Sequence, residues 1–275
     1  MKMNRLLLAA LFTASLAFTA CKKDTVPEPE DTTNNGNNNN NNNNPGPVGA
    51  NTVRISIKNM VGSDSMIIAS SPLRYQNAAG DSFSIRMYKY YISNIKLTDA
   101  GGNVWAEPDS YHLVDAATAA SGVIDITGVP SATYTSMSFM IGVDSIRNVS
   151  GSQTGALDPV NGMFWTWSTG YIMAKLEGKA PNSTASADNI IFHIGGYAGQ
   201  NAGQRVVSPS FGSAQAVVTS TTGSQINMKN DALRWFAGST TISFATVNNV
   251  MNPGANSVAI ANNYASMFSV VSIQN

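Results

Sequence analysis

The sequence predicts an all-β protein, an antiparallel two-sheet β-sandwich with long loops and few short helices. Segments with apolar residues at every second position recur between residues 53 and 247, the period of a strand with one buried face. Clusters of Gly, Pro, Asn and Ser separate these segments and supply turns. Only DALRWF and SVAIANNYASMF tolerate a helical reading, and both are short. Many short strands, each with an apolar face to cover, need a second sheet packed on the first.

In chain order, VRISIKN places Val53, Ile55 and Ile57 on one face, and FSIRMYKYYISNIKL extends the pattern with aromatic and β-branched residues. DAGG at 99–102 is a turn that closes this strand, and HLVD at 112–115 is the next strand. GVIDI follows, then TYTSMSFMIGV after Pro130, which sets Tyr134, Ser136, Ser138 and Met140 opposite Thr135, Met137, Phe139 and Ile141. Residues 163–174 read as one strand with Met163, Trp165 and Trp167 on one face and Phe164, Thr166 and Ser168 on the other. IIFHI at 190–194, AQAVVTS at 214–220, INMKN at 226–230 and TISFATV at 241–247 complete the set. No internal repeat of fixed period is evident.

Residues 1–20 combine Lys2 and Arg5, an apolar run from Leu6 to Ala17 and small residues before Cys21. This is the pattern of a removable export signal, too short for a permanent membrane span. FTAC resembles a lipobox, which implies lipidation of Cys21 and a lipoprotein of the cell envelope, on the outer membrane and either periplasmic or surface-exposed. Cys21 is the only cysteine, so the mature body forms no internal disulfide. Residues 21–50 are polar, lack aromatics and centre on an asparagine run with Pro45 and Pro47. Such a segment cannot bury enough apolar surface to order itself and reads as a disordered tether of about 30 residues, spanning on the order of 30 Å. Residues 51–275 are then the folded domain. Loss of the leader leaves 14 basic against 16 acidic residues, and the absence of a basic run argues against a nucleic-acid partner.

The stretch NGMFWTWSTGY at 161–171 holds two of the four tryptophans. Two indoles on one face form either a core slab or the wall of a pocket. The polar segment before it, DSIRNVSGSQTGALDPVNG, has little periodicity, and loops of that length are usually functional or disordered.

GVDS at 142–145, ALDPVNGMFWTWSTGY, FHIGG at 192–196, the upstream YYISNIKL and the downstream NYASMF together resemble the MbnP-like copper-binding family of bacterial periplasmic and surface proteins. GMFWxWxxGY is the most specific of these elements. The resemblance implies oxidation of one tryptophan to kynurenine by a di-haem peroxidase-like partner, and copper held by that residue together with histidine. On this sequence the implied metal residues are Trp165, Trp167 and His193, with Trp165 favoured as the kynurenine and Trp167 the alternative. An intact indole offers an N–H and no useful lone pair, whereas the opened ring exposes an aniline nitrogen and a ketone. Imidazole suits copper in either oxidation state, and a thioether such as Met163 suits Cu(I). Copper-binding members supply more than one histidine; this chain has His112 and His193 only, and only His193 matches a family element. The alternative for His193 is a half-buried strand residue bonded to backbone.

Other chemistry finds little support. Asp115 lies near His112, but no GxSxG motif supplies a nucleophile, so an enzyme is not expected. Asp144, Asn148 and Asp158 bracket the long loop and read as turn formers rather than calcium ligands. Two functions remain: an MbnP-like copper protein modified by a haem partner, or a surface module that binds a glycan or protein through an aromatic face.

Overall fold

Alternation becomes sheet almost everywhere the sequence carries it. The computed structural model describes residues 47–69, 71–151, 153–165 and 170–275. The expected leader, most of the tether, and Cys21 and Trp167 among the expected site residues lie outside the described residues. The strands are β1 (Thr52–Val61), β2 (Asp64–Ser65), β3 (Tyr75–Gln76), β4 (Ser82–Asp99), β5 (Val104–Ala106), β6 (Tyr111–Asp115), β7 (Val123–Thr127) and β8 (Ala132–Ile141). They continue with β9 (Phe164–Trp165), β10 (Gly170–Lys179), β11 (Asn189–Gly195), β12 (Arg205–Val207), β13 (Ala216–Val218), β14 (Ser224–Asp231), β15 (Asn249–Val250) and β16 (Phe268–Gln274). The α-helices are α1 (Ser145–Val149) and α2 (Ala255–Tyr264). Both helix-tolerant segments are helical, DALRWF as a 3-10 turn at Ala232–Trp235 and the later one as α2.

Two sheets form the sandwich. The smaller runs β16-β14-β1-β2 with β7 also paired to β1; the larger runs β12-β8-β4-β10-β11-β15, with shorter strands added along β4, β8 and β10. Most pairs are antiparallel, but β1 lies parallel to β14 and β11 to β15. Strands so far apart in sequence have no hairpin to dictate their direction. The main core fills the space between the sheets: Ile55, Ile57 and Ile226 from the smaller sheet meet Tyr88, Tyr90, Phe139 and Phe192 from the larger, with Trp235, Phe236, Phe244 and Tyr264 packed among them.

Three expectations are corrected. Residues 163–174 form two antiparallel strands rather than one, since Phe164 pairs with Tyr171 and Trp165 with Gly170. Residues 241–247 are not a strand: Phe244 N donates to Asp81 Oδ2 at 2.7 Å and Ile242 O accepts from Asn77 Nδ2 at 3.1 Å. Side chains thus take over backbone bonding that a ladder would supply, while Ile242 and Phe244 remain buried. Tyr134 is buried in the same core as Met137, Phe139 and Ile141 rather than set on the face opposite them, because the β4–β8 register shifts between Thr98 and Asp99.

β4 has two used faces. Tyr88, Tyr90 and Ile92 face the inter-sheet core, whereas Tyr91 joins a second cluster on the outer face with Val143, Leu157, Met163, Trp165, Tyr171, Ile172 and Met173. That outer cluster positions the site.

Candidate functional site

The long loop ending at Gly162 is folded down onto the outer face. Asp144 caps α1 through Arg147 N at 3.1 Å and also accepts from Asn94 Nδ2 at 3.2 Å and from the Tyr111 hydroxyl. Asp158 caps the next turn through Val160 N at 2.9 Å. Buried Asn148 donates to the carbonyls of Val143 and Asp144, both at 2.9 Å, and accepts from Tyr171 N at 2.8 Å. All three residues bracketing the loop therefore act as caps and struts, the turn-forming role expected of them. Outer-face side chains tie down the loop carbonyls: Tyr91 Oη reaches Ala156 O at 3.1 Å, Tyr171 Oη reaches Leu157 O at 2.8 Å, and Lys175 Nζ reaches Gly162 O at 3.1 Å.

Met163 and Trp165 emerge from this loop buried on one face, as the alternation predicts. The Trp165 ring lies against Gly195: a Cβ there would stand 2.2 Å from Cζ3 and 2.4 Å from Cη2, so any larger residue would displace the indole. Trp165 is 5% exposed, yet it borders a cleft of about 200 Å³ shared with Tyr197, Asn201 and Pro253.

His193 precedes Gly195 by two residues on β11, so its side chain leaves the same face about 7 Å along the strand. It is 8% exposed, and its Nε2 lies 2.8 Å from Glu177 Oε1. The partner is a carboxylate, not the backbone group that a plain strand histidine was expected to find. Glu177 also receives Arg86 Nη2 on Oε2 at 2.7 Å and has Lys175 Nζ 3.7 Å from Oε1. The His193 hydrogen bond holds the Glu177 carboxyl at about 2, well below its ordinary 4.5, against the opposing cost of burial and with added help from the Lys175 charge. Burial pulls the Lys175 ammonium below its usual range.

His112 is placed elsewhere. It pairs with Ile92, whereas His193 pairs with Lys175 and Lys175 with Lys89. Ile92 and Lys89 fall on opposite faces of β4, so the two histidines leave opposite faces of the sheet. His112 Nε2 is bonded to Glu107 Oε2 at 2.9 Å. Among the described residues no group of three or more His, Cys, Asp or Glu side chains gathers as a ready metal cage. Sequence reasoning missed Glu177, Arg86, Lys175 and Gly195. The alternation in YIMAKLEGK sets Lys175 and Glu177 two apart on one face, but only strand pairing reveals which histidine they meet.

The fold and site define an all-β sandwich domain whose outer sheet face carries a buried tryptophan at a cleft and a carboxylate-held histidine. The model of the MbnP family matches residues 50–252, so this chain belongs to the MbnP family. A solved structure described as MbnP from Methylosinus trichosporium is similar at 13% sequence identity and a TM-score of 0.42, covering 70% of this chain and 82% of that one. No curated protein matches the chain.

Proposed function

We propose that this MbnP-family chain is a lipid-anchored envelope protein in which Trp165 is oxidised to kynurenine by a di-haem peroxidase-like partner, the product binding copper together with His193. The observation that supports this reading is the placement of Trp165. Its ring rests on Gly195, the residue borders a cleft, and His193 leaves β11 on the same face as the Gly195 position.

The donor chemistry fits copper only after modification. The indole contributes no lone pair; the aniline nitrogen and ketone of kynurenine do, and the neutral imidazole of His193 adds a nitrogen. Bound copper would supply one-electron redox chemistry. The chain's own part is to bury the indole beside the cleft and fix the imidazole. His112, on the opposite face of the sheet, would take no part in holding the copper. In this reading the chain is substrate and carrier, not catalyst. A glycan platform would need an open aromatic face, which Trp165 at 5% exposure does not offer.

Peptide mass spectrometry of protein purified from the envelope of cells expressing the partner tests the oxidation. Kynurenine has one carbon fewer and one oxygen more than tryptophan, and fragment ions separate Trp165 from Trp167. Both tryptophans intact in that preparation would overturn the proposal. Cys21→Ala tests the anchor separately: release from the membrane fraction is expected, and retention refutes lipidation as the attachment.

A further inference from the structure

Glu177 has no part in the copper reading as stated, although it contacts the one histidine that reading uses. We infer that Glu177 is a positioning residue for His193, holding Nε2 so that the neutral imidazole presents its lone pair at Nδ1. The role in metal binding rests on the copper proposal; the effect on the imidazole does not.

The geometry is over-determined. In the β10–β11 register Lys175 lies opposite His193 and Glu177 opposite Ile191, which makes Glu177 the diagonal neighbour of His193 on the same face. Its Oε1 stands 2.8 Å from Nε2. Oε2 is occupied by Arg86 at 2.7 Å, so the carboxylate is gripped at both oxygens. Arg86 reaches it because β4 bulges where its register with β10 skips from Met87 to Ile85, and a bulge re-aims the side chain it carries. Gly178 permits that bulge: a Cβ at this position would lie 1.9 Å from Ser84 O.

A carboxylate only accepts, so the nitrogen facing it carries the hydrogen and the other ring nitrogen keeps the lone pair. At 8% exposure the ring has little room to reorient. Carboxylates that hold a histidine in this way fix its tautomer and raise its basicity as a ligand, and losing one typically weakens metal affinity 10- to 100-fold. His112, bonded to Glu107 on the opposite face, has the same pairing away from Trp165 and serves as an internal control.

The test begins with metal-free recombinant protein labelled with ¹⁵N-histidine, in which two imidazoles are assigned by His112→Ala. Nitrogen shifts should show neutral His193 as the Nε2–H tautomer. Glu177→Ala should release it to a mixture, and Glu177→Gln, which retains an acceptor oxygen, should restore the bias at least in part while leaving His112 unchanged. In envelope-purified protein carrying kynurenine, Glu177→Ala should raise the copper Kd about 10- to 100-fold, with Glu177→Gln between it and wild type. An Nδ1–H tautomer in the wild type, or Glu177→Ala without effect on tautomer and Kd, overturns the inference. Should Glu177→Ala fail to fold, the wild-type tautomer and the Glu177→Gln variant still decide. If no copper binds while the tautomer responds as expected, the copper reading fails and the positioning of His193 by Glu177 stands.

Discussion

The two faces of the larger sheet each bury a tryptophan and use it differently. On the inner face Trp235 is fully buried, donates from Nε1 to Tyr88 Oη at 3.2 Å and packs on Tyr264 with ring centroids 5.3 Å apart. Tyr88 donates onward to Asn230 Oδ1 at 2.8 Å, and burial raises its phenol well above the ordinary range. On the outer face Trp165 belongs to a small cluster, touches a cleft and has charged neighbours on its strand face. Burial alone does not distinguish the two tryptophans. The distinction lies in closure: the inner indole sits in a polar network between the two sheets, whereas the outer one borders a cleft.

That contrast predicts unequal costs. Trp235→Ala should lose about 3–5 kcal/mol through the cavity it opens in the inter-sheet core. Trp165→Ala should lose distinctly less, since its site opens to a cleft; urea midpoints read both, and equal losses would break the contrast. Gly195→Ala should cost about 1–3 kcal/mol by overpacking against the indole. It should also raise acrylamide quenching of Trp165, whereas unchanged quenching would show that the ring does not depend on the glycine.

A smaller effect concerns acid. The Glu177 carboxyl is depressed to about 2 from 4.5 in the folded chain, so its contribution to stability is complete above pH 4.5 and is lost as the pH falls towards 2. Glu177→Gln should therefore flatten that part of the stability–pH curve relative to wild type; superimposable curves would place the carboxylate outside the folding equilibrium. The smallest effect is expected at Val160, 85% exposed on the covering loop. Val160→Ser should change stability by less than about 0.5 kcal/mol, and a larger loss would mean that the loop is covered from outside.

Sequence periodicity by itself marked most of the longer strands, though not β16, together with the sandwich and the placing of Met163 and Trp165 on one face, because alternation is a local property. It could also mark His193 as an outward strand residue, since Phe192 and Ile194 beside it are apolar. It could not foresee the chain reversal after Trp165, nor the loss of the expected strand at 241–247. Both depend on partners distant in sequence: β10 for the hairpin, and Asn77 with Asp81 for the irregular segment. The choice between core slab and pocket wall was likewise tertiary. Trp165 is both, because its ring packs on Gly195 while the residue lines a cleft with Asn201 and Pro253. Strand pairing alone placed Glu177 on His193 and put His112 on the far face, since which side chains meet across a sheet is set by register, and register joins residues that the linear order keeps apart.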